Sequence, residues 1–451
     1  MSSSKPISSV YETFREHWAY EWAGIEDELL LERDAKCTMH QANNRPALLA
    51  IRTAQGSFVE DHSGRRYLDL HGNNCHHIGY RHPELIAGLI DQLSTLPFNV
   101  RGFTNEAFVL LAERLTALWP GRDGRVFLVP GGAGAIELAL ALARVHTGRH
   151  KSISFADSYH GRSLGAIGLT SSKRERSVRL GPLLPGALHV PSFKTLSNSA
   201  RADDEPDVAA RRSLDAIDDQ MRRHGDVACV VAEPIGNGGY RPPDWYWPAV
   251  RTLCDEHGSL LIFDEIPAGL GKTGMLFNSE HFGVIPDMTV LGKALGGTAM
   301  PVAALIADGR LDSSPELNLG YFTHEKNPLM ARAGLITLTV IEKESLVERA
   351  RALGATVLVR LTELQARYPT LVTGVHGEGL MLSLELAGEN ESSPGSNSLT
   401  ESIFYRCIEK GVILNYAGYG AALRLSFPLN VHEVDVDLAI KILDETLDEY
   451  D

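Results

Sequence analysis

The chain has 451 residues, 44% hydrophobic and 22% charged, a balance that gives a packed core and a length that exceeds one core, so a large domain with a smaller companion is expected. Acidic residues outnumber basic ones by 57 to 43, leaving a formal charge of −14; nucleic-acid and anionic-membrane surfaces need concentrated Lys and Arg, so both are excluded as partners. Cys37, Cys75, Cys229, Cys254 and Cys407 are odd in number and lack CxxC spacing, which excludes a disulfide framework and fits a reducing cytoplasm.

The opening MSSSKPISSVYETFREHW has neither the apolar stretch nor the small-residue cleavage site of a secretory signal, and no apolar run nears the roughly 18 residues of a membrane span. A soluble cytoplasmic protein is expected. Residues 1–9 are Ser-rich and expected to fray, and residues 10–32 read as one amphipathic helix. GSFVEDHSGRRYLDL, residues 56–70, alternates about an HSGR turn and predicts a hairpin.

Short apolar strands then alternate with helical segments: RVFLV at 125–129, SISF at 152–155, ACVVAE at 228–233, LLIFDE at 260–265 and MTVLG at 288–292. That order predicts a largely parallel α/β sheet whose ligands sit at the carboxyl ends of its strands. Polar, turn-rich stretches at 197–207 and 388–397 predict surface loops. Beyond Asn327, helical patterns give way to VTGVHGEGLMLSLEL and GAALRLSFPL, which predict a C-terminal α+β domain.

The residues with chemistry fall at the predicted strand ends. LLIFDE closes on Asp264 and Glu265 before the Gly-rich PAGLGKTG, and Lys293 follows the next strand in VLGKALGG. A carboxylate and an amine at neighbouring strand ends can face one cavity. Pyridoxal phosphate (PLP) chemistry needs that pair, a lysine to form the imine and an Asp to keep the pyridine nitrogen protonated so that the ring accepts electrons. Ile266 is placed to pack against the ring. Taken singly, Asp264 reads more simply as a capping residue and Lys293 as a surface lysine.

In LVPGGAGAIELALALARVHTG a strand runs through Gly131, Gly132, Ala133 and Gly134 into a long helix. Free N–H groups at such a helix start suit a phosphate. The turn is not a nucleotide fingerprint, and alone it reads as an ordinary tight turn. DSYHGRS puts Tyr159 and His160 after another strand, where an aromatic ring can stack on a planar cofactor or simply be half-buried.

Taken in order, the Gly-rich turn, SYHGRS, AEPIGNGG, IFDEIPAGLGKTG, PDMTVLGKALGG, FTHEKNP and LRLSFPL resemble the class III (subgroup II) aminotransferases. These fold-type I PLP enzymes include ω-amino acid and ornithine transaminases and some lyases. The resemblance implies an α/β fold. Its large PLP-binding domain, residues 61–325, would have a mostly parallel seven-stranded sheet flanked by helices. A smaller α+β domain would span 326–451, with residues 1–60 joining it. Pyridoxal 5'-phosphate is the implied cofactor. Lys293 would be its Schiff-base lysine and proton shuttle, with Asp264 on the pyridine nitrogen and Gly132 and Ala133 around the phosphate. Tyr159 and Ile266 would lie on opposite ring faces, and Glu233 would be an active-site carboxylate. Thr323, four residues before Asn327, matches a threonine that reaches the phosphate from a neighbouring subunit, which implies a homodimer with the site at its interface.

The chain departs from the family at several points. Its phosphate turn reads Gly-Gly-Ala-Gly-Ala-Ile-Glu (131–137) in place of Ser-Gly-Thr-Glu-Ala-Asn-Glu. Gly236 stands where Gln is usual, and Pro267 where a polar residue is common. The substrate-facing stretch 71–83 presents Asn73, Asn74, His76 and His77. Such a set suits a strongly anionic, oxygen-rich head such as a phosphonate; alternatively the histidines cap and bridge a loop. Arg424 matches the family arginine that grips a carboxylate, and its planar fork would hold a phosphonate equally well. His71, His76, His77 and His82 fit no zinc spacing, so no metal is expected.

HGNN, HHIGYRHP and YFTHEKNP most resemble a phosphonate-degrading branch of the family, the (R)-1-hydroxy-2-aminoethylphosphonate ammonia-lyases. Two reactions on a small primary amine follow from the resemblance. An ammonia-lyase expels the β-hydroxyl and leaves phosphonoacetaldehyde and ammonia, whereas an omega-aminotransferase passes the nitrogen to pyruvate or 2-oxoglutarate. The branch segments favour the lyase.

Overall fold

The computed structural model describes residues 14–39, 47–171, 181–183, 185–194, 205–387, 399–417 and 422–451. Residues 1–9 and the polar stretch 388–397 lie outside these, as does 197–204 of the other polar stretch. The helix expected over 10–32 is two helices where described, α1 (Phe14–Trp22) and α2 (Ile25–Cys37). Gly24 separates them in an extended conformation, and a Cβ there would fall 2.1 Å from Ser63 Oγ. Glycine thus lets the chain bend against the turn that follows. Asp27, buried in the first turn of α2, accepts the His62 backbone N–H at 3.2 Å, so the helix docks on that turn.

The predicted hairpin forms from β2 (Phe58–Asp61) and β3 (Arg66–Asp69), with β1 (Ile51–Gln55) antiparallel to β2. The short strand Val412–Ile413 joins the sheet parallel to β3. The boundary placed at 60/61 therefore falls within a hairpin whose sheet also holds a C-terminal strand.

In chain order there follow α3 (Pro83–Thr95), α4 (Glu106–Leu118), β4 (Gly124–Val129), α5 (Gly132–Thr147), β5 (Lys151–Phe155), α6 (Leu164–Leu169), β6 (Ala187–Val190), α7 (Pro206–His224), β7 (Val227–Ala232), α8 (Tyr246–His257), β8 (Leu260–Asp264), β9 (Met288–Leu291) and β10 (Ala303–Asp308). The seven strands β4 to β10 form one sheet in the order β4-β10-β9-β8-β7-β5-β6. All neighbours run parallel except β10, which is antiparallel to β4 and β9. Strands β6 and β10 had no separate sequence signal, because ALHV is short and AALIAD reads as well in a buried helix.

The central strands are apolar throughout because both faces are covered. Val231 of β7 and Ile262 of β8 meet Ile136 and Ala139 of α5 on one face. Val230, Leu261 and Phe263 meet Trp247 and Val250 of α8 on the other. This alternation, with period two, is what aims Asp264 out of the strand end.

The remaining elements are α9 (Pro328–Lys343), α10 (Leu346–Arg367), β11 (Val372–Glu378), β12 (Met381–Leu386), α11 (Leu399–Glu409), β13 (Val412–Ile413), β14 (Asn415–Ala417), β15 (Ala422–Ser426) and α12 (Glu433–Asp448). Strands β11-β12-β15-β14 form an antiparallel sheet in that order. No described helix is long and apolar enough to cross a membrane.

Three backbones stack where α10 crosses the β11–β12 turn. A Cβ on Gly354 would lie 2.1 Å from Gly379 O, and one on Gly379, at φ +57°, would lie 2.5 Å from Lys272 O. Neither backbone carbonyl can step aside as a side chain would. Gly354→Ala is therefore expected to lower stability by about 3 kcal/mol, although alanine is the better helix former by about 1 kcal/mol. Thermal or urea unfolding reads the change, and a variant as stable as the parent contradicts the close approach.

Candidate active site

Strands β8 and β9 are parallel neighbours with Asp264 opposite Val290, so the chain segments beyond their carboxyl ends share one edge of the sheet. Lys293 opens the 3-10 turn Lys293–Gly296 at φ +44°. A non-glycine residue held there is strained, a feature that concentrates at functional positions. Removal from water pushes the Lys293 ammonium below its ordinary pKa, while the charges of Glu233 and Asp264 oppose that and Arg424 adds to it.

Asp264 is 2% exposed. Its Oδ2 accepts from His160 Nδ1 at 2.7 Å and its Oδ1 from the Ile266 backbone N–H at 3.1 Å. The His160 backbone N–H is in turn held by Thr170 Oγ1 at 3.0 Å. A buried carboxylate requires partners of this kind, and here they fix its orientation.

The Gly131–Ala133 turn lies beside this pair. Gly131 is extended before the 16-residue α5, and nothing lies within 4 Å of where its Cβ would be. A Cβ on Gly132 would fall 2.5 Å from Ile266 Cδ1, and one on Gly292 3.3 Å from Ile266 Cγ1 and Cγ2. Ile266 thus sits between the helix start and the lysine turn. The unpaired N–H groups and the helix dipole favour an anion there. Tyr159, just after β5, is 47% exposed. Thr323 is exposed on the loop before α9, next to Phe322, which packs edge-on against Phe127.

Glu233 follows β7 and is 9% exposed. Arg424, on β15, has its Nε buried with no hydrogen-bond partner among the described residues. Burial lowers its pKa, against the opposing charges of Tyr240 and Glu233. Of the two readings of His76 and His77, their burial and backbone contacts favour the one in which they bridge a loop. Both are fully buried, with Nε2 on the backbone carbonyls of Asp69 (3.0 Å) and Gly269 (3.1 Å). Burial pushes His76 down to about 4 and His77 well below its ordinary range, so both are neutral struts. Asn74 is likewise buried and accepts from Ser426 Oγ, while Asn73 is exposed at φ +48°.

The sequence profile of the Aminotransferase class-III family matches residues 39–447. The chain belongs to the class-III aminotransferase family. It is 32% identical over 446 residues to the (R)-1-hydroxy-2-aminoethylphosphonate ammonia-lyase of Vibrio splendidus, covering 96% of this chain and 92% of that one. It is also 32% identical over 404 residues to the 5-aminovalerate aminotransferase of Pseudomonas putida, covering 88% and 92%. Among solved structures, an (S)-enantioselective omega-transaminase from Thermomicrobium roseum superposes with a TM-score of 0.85 at 26% identity, covering 94% of this chain and 98% of that one.

This class-III chain is accordingly a PLP-dependent enzyme of fold type I. Its residues fit the cofactor: the helix-start cradle around Gly132, the apolar floor of Ile266 and the buried, oriented Asp264 meet a phosphate, a ring and a ring nitrogen in turn.

Two residues of the site went unassigned in the sequence. His160 adjoins Tyr159, but its partner Asp264 lies two strands away in the sheet. His71, in the polar stretch, lies within electrostatic reach of both Lys293 and Arg424. Desolvation lowers its pKa and Lys293 and Arg424 add to this, against Asp69, while its Nδ1 accepts the Asn73 N–H at 3.2 Å.

Lys272 of the Gly-rich loop is fully buried and donates to Phe427 O. Burial pushes its pKa down to about 7 from 10.5. Between those values the unfolded chain binds more protons than the folded one, so this group's contribution to stability rises with pH; below about 7 its burial penalty is complete. The stability of Lys272→Met relative to the parent should therefore fall by about 3 kcal/mol between pH 6.5 and 9.5. Urea midpoints at the two pH values measure it, and a constant difference refutes it.

Proposed function

We propose that this class-III enzyme is an ammonia-lyase that converts 1-hydroxy-2-aminoethylphosphonate to phosphonoacetaldehyde and ammonia. The match over 96% of the chain to the Vibrio splendidus ammonia-lyase carries this reading. The unpaired Nε of Arg424 supports it, since a buried guanidinium with open donor capacity favours an anionic head group.

Bound in this site, PLP supplies an electron sink for the pair left on carbon when a C–H bond breaks. Lys293 would hold the cofactor through its Nζ and, once freed by the substrate amine, would take the proton from the amine-bearing carbon. Its lowered pKa leaves more of it in the neutral form that accepts a proton. Asp264, held by His160, retains the proton on the ring nitrogen. Gly132 and Ala133 would bind the phosphate, Tyr159 and Ile266 would enclose the ring, and Arg424 would orient the phosphonate. The neighbouring hydroxyl leaves as water, water returns as nitrogen departs as ammonia, and the net change needs no oxidant and no second substrate.

The decisive experiment is ammonia release from 1-hydroxy-2-aminoethylphosphonate without any keto acid. Product that forms only with pyruvate or 2-oxoglutarate would replace this reading by an omega-aminotransferase, which the likeness to the 5-aminovalerate enzyme supports. We further infer a homodimer from the exposed apolar side chains Ile86, Ile90, Leu93, Phe103 and Tyr321. Sedimentation of a monomer at micromolar concentration would remove that part.

A further inference from the structure

We propose that Lys194 is a specificity-determining cation of the substrate site, selecting amines whose far end is a dianion, a phosphonate or phosphate, over those ending in a carboxylate. The inference rests on the phosphonate reading and deepens it. Lys194 belongs to the loop after the edge strand β6, yet its side chain is only 14% exposed and its Nζ lies 3.8 Å from Glu233 Oε2 at the end of β7.

The reach is possible because residue 236 has no side chain. A Cβ on Gly236 would fall 2.2 Å from Lys194 Cε and 3.0 Å from its Nζ. The glycine cannot retreat, since its N–H donates to Tyr240 O at 2.8 Å and its carbonyl accepts the Tyr240 N–H at 3.2 Å. The ammonium therefore stands where a family Gln side chain would begin. What the sequence presents as a lost polar residue is a polar group supplied from another loop.

The charge balance gives the lysine its consequence. Glu233 acts on both Lys293 and Arg424. With Lys293 bound to the cofactor, Asp264 facing the ring nitrogen and the buried Glu385 engaged by Tyr240 OH at 2.9 Å, Glu233, Arg424 and Lys194 are, among the described residues, the charged side chains taken to meet the substrate's far end. Without Lys194, the carboxylate cancels the guanidinium and the subsite is neutral. With it, one positive charge is in excess, and a dianion gains twice what a monoanion gains from that charge.

Calorimetric titration of the holoenzyme with ethylphosphonate and with propionate, neither of which carries an amine, tests this. The titration is run above the second ionisation of the phosphonate, with cofactor loading checked by visible absorbance. Lys194→Gln should reduce the preference for ethylphosphonate over propionate by about tenfold or more, and Lys194→Arg should keep it within about threefold. Gly236→Ala should also reduce the preference, because its methyl displaces the ammonium without removing the charge. Equal weakening of both ligands by Lys194→Gln would overturn the proposal and leave Lys194 as a support for Glu233. Ammonia release by the parent enzyme with an unmoved preference sinks the Lys194 role alone. A moved preference without ammonia release sinks the lyase reading and keeps the subsite.

Discussion

Lys293→Ala is expected to abolish the visible absorbance of the lysine-bound cofactor and to lower kcat by at least about a thousandfold. Among the described residues no nearby lysine is placed to substitute. Lys272 is committed to Phe427 O, and Lys194 faces Glu233. In the proposed mechanism the residue serves twice, as the covalent anchor and as the base, so its loss would remove two contributions that a noncovalently retained cofactor does not restore. A small external amine should recover part of the proton transfer but not the linkage. Absorbance spectra and steady-state rates separate the two, and unchanged turnover in the variant would refute the assignment.

Asp264→Asn should retain the fold and bound cofactor, because the amide oxygen can still accept from the Ile266 N–H while the amide NH2 donates to His160 Nδ1 in its unprotonated tautomer. It removes the charge that, in the proposed mechanism, would hold the proton on the ring nitrogen. In a buried, water-poor site that charge is not replaced by solvent, and kcat/KM should fall by about 10³-fold. His160→Ala leaves the carboxylate but frees its orientation, and a loss of about 10- to 100-fold is expected by analogy with other orienting partners. Rates for the two variants within threefold of each other would show that orientation, not charge, is what Asp264 supplies.

The sequence disclosed the parts of the site that are local. Asp264 and Lys293 each close an apolar run, and the Gly131–Gly134 turn precedes an unbroken helical pattern, so each is written in a dozen consecutive residues. The contacts it concealed are those made by tertiary docking. His160 and Asp264 meet only because β7 separates their strands by one position, and Lys194 sits in sequence beside a polar stretch that gives no sign of its reach to Glu233. His76 and His77 misled for the opposite reason. Polar side chains on a substrate-facing stretch look available until backbone carbonyls of Asp69 and Gly269 claim them. The break at Gly24 was equally invisible, since its cause is Ser63 on another element.

Lys293 and Asp264 stand at the edge of the seven-stranded sheet, whereas Arg424 is carried by β15 of the C-terminal sheet. In the proposed roles, part of the choice of molecule, the share of Arg424, is thereby carried on a layer separate from the electronic work, while Lys194 contributes from the large sheet's own edge. Substitutions on β15 and the loops facing it can retune which amine is accepted while the cradle, ring floor and proton-holding carboxylate stay as they are. Chemistry and clientele can diverge independently, which is how one scaffold accommodates reactions as different as elimination and amino-group transfer.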